Sequence, residues 1–170
     1  MKALAQAVCT RTVHLNADVR GFRRCDYEGY YADDFNFFKG KSTIADFVPG
    51  GCAVEVGGEV GGGGSDYSHK SFTFEATIMP TETGQHTFWS ACNDACHVVI
   101  TRPNGRRVTV VDNGGFHVET IRRGNIMLEK GVKYGLMIYY GNASGKGSFE
   151  FMYRDPTMAS FSKSFQHVLV

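Results

Sequence analysis

From about residue 70 onward the chain alternates between apolar and polar positions with a period of two, the signature of strands buried on one face. In Ser71 to Met79, Phe72, Phe74, Ala76 and Ile78 fall on one side, and Pro80 ends the run. Glu82-Thr83-Gly84 predicts a turn, and Gln85 to Ser90 predicts the next strand, rich in residues that suit a pleated surface. His97 to Thr101 and Arg106 to Val111 flank Pro103-Asn104-Gly105, a strong turn signal, and together predict a hairpin. Gly114-Gly115 breaks the chain before Phe116 to Ile121, and Asn125 to Leu128 is a short apolar segment closed by Glu129-Lys130-Gly131. Tyr134 to Tyr140 is the most apolar run and is expected at the centre of a sheet. After a loop over Gly141 to Gly147, alternation resumes through Phe149, Phe151 and Tyr153.

No stretch carries a helical period longer than two turns. Short strands joined by glycine-rich turns predict an all-β fold, two antiparallel sheets packed as a sandwich of the jelly-roll kind. The first third is less regular, with aromatic residues over Tyr27 to Tyr31 and Phe35 to Phe38 that need a core or a partner. Gly57 to Ser65 holds six glycines in nine positions and is expected to be a long mobile loop. It lacks the Gly-Lys-Ser/Thr ending of a phosphate-binding loop. The length of 170 residues suits one domain over 1–170, with its core over about 21–156.

Charge narrows the function classes. Eighteen basic and seventeen acidic residues leave a formal net charge of +1, which offers no long-range attraction for nucleic acid. No apolar run approaches the roughly 20 residues that span a bilayer, so no membrane insertion is expected. Met1 to Leu15 lacks the longer apolar core of an export signal, which leaves the route to any outside compartment open. Five cysteines (Cys9, Cys25, Cys52, Cys92 and Cys96) leave the pairing open. Cys92 and Cys96 have no second pair at similar spacing to make a thiolate metal site.

Catalytic patterns are sparse. Neither His-Glu-x-x-His nor Gly-x-Ser-x-Gly occurs. His86 and His97 could face each other across neighbouring strands. The Asp33-Asp34 and Glu55/Glu59 pairs keep a carboxylate-based hydrolase as an alternative, but the single tryptophan, Trp89, advertises no sugar cleft. The chain is expected to be a binding domain and not an enzyme.

Two loops gather small polar groups after confident strands: Ser90 to Cys96, with Asn93 and Asp94, and Gly141 to Gly147, with Asn142 and Ser144. These four are the candidate ligand-binding residues. Hard cations such as calcium take six to eight oxygens, so Asn93, Asp94 and Asn142 are candidate ligands, with Asp66 or Asp112 as a further carboxylate. Ordinary turn residues that bond their own backbone are the competing explanation.

Pro80-Thr81-Glu82-Thr83-Gly84-Gln85-His86-Thr87-Phe88, followed by Ser90-Ala91-Cys92-Asn93-Asp94 and the apolar strand after it, resembles the core of the PA14 domain family. There a Pro-x-x-x-Gly-x-Tyr-Thr-Phe strand leads to a Ser-x-Asp-Asp loop. Leu128 to Tyr134 and the later Tyr140-Gly141-Asn142-Ala143 are similar to that family's late strand pair, in the form found in GLEYA and flocculin adhesins. The resemblance implies a β-sandwich that binds glycans through calcium held by two adjacent aspartates and a later asparagine. By position these are Asn93, Asp94 and Asn142, and the amide at Asn93 removes one negative charge. A glycan or surface-protein partner and an extracellular or cell-surface location are expected. The alternative is a structural or assembly domain that binds protein without metal.

Overall fold

The structure is a computed structural model and describes residues 20–31 and 49–170. Cys9, His14, the Asp33-Asp34 pair and the aromatic stretch Phe35 to Phe38 lie outside the described residues. Ten strands follow in order: β1 Gly21–Glu28, β2 Pro49–Val56, β3 Gly61–Asp66, β4 Lys70–Ile78, β5 Gly84–Asn93, β6 Ala95–Thr101, β7 Arg107–Asn113, β8 Thr120–Leu128, β9 Tyr134–Asn142 and β10 Lys146–Arg154. They form a six-stranded sheet ordered β2-β1-β4-β9-β6-β7 and a four-stranded sheet ordered β3-β10-β5-β8. Every neighbouring pair is antiparallel. The all-β sandwich is as expected, and β9 does lie in the middle of its sheet, between β4 and β6.

Alternation decides which side chains fill the space between the sheets. Phe72, Phe74, Ala76 and Ile78 of β4 and Leu136, Ile138 and Tyr140 of β9 face Phe149, Phe151 and Tyr153 of β10. Phe149 sits at the centre of this layer, its ring 4.3 Å from that of Tyr140 and 5.7 Å from that of Phe74. Each such ring contributes about 1.5–3 kcal/mol by leaving water. The segment after β10 closes the layer, since Phe165, Val168 and Leu169 are buried in the same cluster. Backbone bonds tie it down, from Met79 N to Val168 O at 2.7 Å and from Phe165 N to Gly58 O at 2.8 Å.

Two expectations change. The glycine-rich segment is not simply a loop, because Gly61–Asp66 is an edge strand paired with β10. Its glycines permit the approach: a Cβ on Gly62 would lie 3.0 Å from the Tyr67 hydroxyl and 3.3 Å from the Phe149 ring. A strand without side chains shows no alternation, so backbone pairing alone reveals it. The stretch after Gly114-Gly115 stays irregular until β8 begins at Thr120, because its backbone is bonded to groups outside the ladder.

Candidate functional site

The two candidate loops meet. β5 belongs to the four-stranded sheet and ends at Asn93, while β6 belongs to the six-stranded sheet and begins at Ala95. The chain therefore changes layers at Asp94. β9 and β10 change layers at the same end, with Ala95 opposite Gly141 in one sheet and Asn93 opposite Ser148 in the other. The Asn93–Asp94 peptide bond is cis, and a Cys92–Cys96 disulfide brackets the turn. A second disulfide joins Cys25 of β1 to Cys52 of β2.

Asp94 is only 3% exposed. A carboxylate held this far from water needs donors. Oδ2 accepts a bond from Ala143 N at 2.8 Å, and Oδ1 accepts one from His117 N at 3.2 Å. One side chain thus ties together the β5–β6 turn, the β9–β10 turn and the loop between β7 and β8.

Asn142 is fully buried. Its Nδ2 donates to Ser144 O at 3.2 Å and Gly145 O at 2.9 Å, so the amide organises its own turn. Its Oδ1 is buried with no hydrogen-bond partner among the described residues, and so is the hydroxyl of Tyr140 on the same strand. Buried oxygens are rarely left so. Burial first, and the charge of Asp94 second, push the Tyr140 hydroxyl's pKa upward, so it is held as a protonated donor. Both groups pack on Gly147: a Cβ there would fall 3.1 Å from Asn142 Cγ and inside contact distance of the Tyr140 hydroxyl.

Asn142 keeps an amide oxygen with no partner among the described residues, each Asp94 oxygen accepts one N–H, and half-buried Asn93 directly precedes Asp94 in the chain. The charge available is a single carboxylate. Asp66 caps its own turn by accepting Ser68 N at 3.0 Å, and Asp112 lies 3.2 Å from His97 Nδ1, so both carboxylates are engaged elsewhere. Ser144 is exposed on the rim, with its carbonyl already accepting from Asn142. Among the described residues, no three or more of His, Cys, Asp and Glu gather in one place.

A third element joins the tip. The loop over residues 114–118 presents Phe116 at 73% exposure and Val118 at 80%. It is nonetheless anchored: Tyr30 donates to Gly115 O at 3.2 Å, and the buried Asn113 donates to Thr120 O at 2.9 Å. Asn113 Nδ2 also rests 3.2 Å from Cys92 Sγ and 3.6 Å from Cys96 Sγ, so the disulfide backs the residue that closes the loop. Sequence patterns did not single out this loop. Its one signal was a double glycine followed by an aromatic.

His86 and His97 are both buried. They do not face each other, because they lie in different sheets and His97, between core-facing Cys96 and Val98, points away from the layer that His86 enters. His86 is sandwiched between the Tyr153 hydroxyl at 2.5 Å and Glu82 O at 2.9 Å, and burial lowers its pKa.

No protein-family model matches the sequence, and no curated protein matches it. Solved structures do match in shape. The epithelial adhesin 9 A domain from Candida glabrata, solved with Galβ1-4GlcNAc, superposes with a TM-score of 0.69 at 13% identity over 88% of each chain. The epithelial adhesin 6 A domain from the same organism, solved with Galβ1-3GlcNAc, gives 0.69 at 10% identity over 92% of this chain and 88% of that one. A PA14 sugar-binding domain from an RTX adhesin gives 0.64 at 13% identity over 89% and 98%. The fold is therefore the PA14-like sandwich shared with these domains.

Proposed function

We propose that the chain is a carbohydrate-binding domain of the lectin or adhesin type, without catalytic activity, whose tip binds sugar with the help of calcium. The observation that carries this is the unpaired, buried Asn142 Oδ1, one residue before the Ala143 amide that the buried Asp94 carboxylate holds. Asn93, Asp94 and Asn142 are the residues that would hold the ion. Calcium bound there supplies a centre for two neighbouring sugar hydroxyls. Asp94 fixes the distance between the turns, Asn142 shapes the rim through its bonds to Ser144 and Gly145, and Phe116 offers an aromatic surface to the C–H face of a sugar ring.

With one carboxylate instead of two, calcium affinity is expected at the weak end known for extracellular modules, on the order of 10⁻⁴–10⁻³ M. Similarity to adhesin domains solved with galactose-containing disaccharides makes galactose the first sugar to test. The Tyr140-Gly141-Asn142-Ala143 sequence favours the GLEYA and flocculin branch, and two disulfides favour an extracellular or cell-surface site.

Calorimetric titration with calcium, then with galactose and Galβ1-4GlcNAc in calcium, tests the reading. Saturable binding that chelator reverses supports it, and the absence of any binding at millimolar calcium ends it. The exposed Phe116 and Val118 favour one other reading, a metal-independent surface that docks a protein in a structural assembly. Self-association that buries this loop would select it.

A further inference from the structure

The outer face of the four-stranded sheet carries a groove of about 430 Å³, within the range of about 300–1,000 Å³ usual for ligand sites. Trp89 and Ile121 wall it, and Glu59, Glu119, Glu150 and Lys163 stand along it. Its position follows from strand alternation. Phe88 and Cys92 of β5 point into the core, so Trp89, Ala91 and Asn93 share the opposite face. Asn93 is therefore on the same face as the groove without lining it. Ser148, opposite Asn93 in the ladder, also lines it.

One end of the groove, at Ser148 and Glu119, lies next to the tip, because Ser148 is the ladder partner of Asn93. Ser148 donates to Glu119 Oε2 at 2.7 Å, and Glu119 lies two residues beyond His117, whose amide holds Asp94. Its chemistry suits sugar. Lys163 pairs with Glu150, which leaves Glu59 and Glu119 as carboxylate acceptors for hydroxyl groups. Trp89, 7% exposed, borders the groove, and Ile121, 53% exposed, supplies an apolar wall. The carboxylates along it would repel phosphate, which disfavours a nucleotide.

We propose that this groove is an extension subsite, which takes the inner residues of an oligosaccharide whose terminal unit occupies the tip. It rests on the carbohydrate reading above. Length selectivity is the consequence: the domain prefers a chain of several sugars to a single one.

Trp89 is the only tryptophan in the chain and reports the groove directly. Galactose, Galβ1-4GlcNAc and a tetrasaccharide of two such units are titrated in calcium, reading affinity by calorimetry and Trp89 emission by fluorescence. Affinity is expected to rise about tenfold from galactose to the tetrasaccharide, about 1.4 kcal/mol. Galactose should leave Trp89 emission unchanged, and the tetrasaccharide should shift it. Glu119→Gln combined with Ile121→Asp, both at exposed positions, should return the tetrasaccharide to the affinity of galactose while galactose binds as before. If galactose binds but the longer sugar gains nothing, leaves Trp89 silent or keeps its gain in the double variant, the subsite is refuted and the tip reading survives. If none of the three sugars binds, both fall together.

Discussion

The middle of the sandwich and its tip are equally dry but are held by different forces. Between the sheets, Phe72, Phe74, Tyr140 and Phe149 stack on one another, and their burial is non-directional. At the tip, Asp94 and Asn142 are buried only because specific bonds meet them, with one Asn142 oxygen left over. An apolar layer tolerates reshaping at constant volume, whereas a buried polar site fails when one partner is lost. Stability should therefore reside in the middle and recognition at the tip, and substitutions can pull the two apart.

The largest effect is expected in the middle. Phe149→Ala should lower the unfolding free energy by about 3–5 kcal/mol, measured by urea denaturation, with the affinity of the surviving folded fraction little changed. Asp94→Ala should do the reverse. It should abolish calcium-dependent sugar binding in calorimetry while costing about 1–3 kcal/mol of stability, for two backbone N–H groups left unpaired. Replacing Cys92 and Cys96 together by serine opens a five-residue ring and should cost about 2 kcal/mol on chain-entropy grounds. The same change frees Asn113 from its backing, so sugar affinity should fall several-fold. If affinity stays unchanged, the disulfide serves the fold alone.

The smallest effect is a dependence on pH. Burial depresses the pKa of His86 in the folded protein, whereas the unfolded chain titrates at about 6.5. The unfolded state therefore binds the proton first, and stability should decline as pH falls below about 6.5. His86→Asn should flatten that decline, by less than about 1 kcal/mol, in melting curves between pH 7.5 and 5.5. Tyr153, bonded to His86, keeps its proton throughout because burial raises its pKa.

What could be foreseen from sequence follows the same division. β4 and β10 were legible because apolar side chains line one face of each and mostly polar ones the other. Alternation is thus written into the residues even where, as at Ser71 and Thr73, the polar face is also buried. The hairpin around Asn104-Gly105 was legible from turn chemistry. The pairing of Asn93 and Asp94 with Asn142 was read from two polar loops and strengthened by a family resemblance, and the two loops do lie at one end of the sandwich. β3 was hidden because glycine carries no pattern. The 114–118 loop was hidden because its anchors, Tyr30 and Asp94, are distant in sequence. The separation of His86 from His97 was invisible because a single residue, Asp94, carries the chain across the sandwich.

That crossing has a mechanical consequence. A ligand tethered to a surface and pulled would load the β5–β6 and β9–β10 turns together, and each turn feeds one strand into either layer. Tension entering there is divided between two hydrogen-bonded ladders that resist it lengthwise, and the Asp94–Ala143 bond makes the two turns share the load.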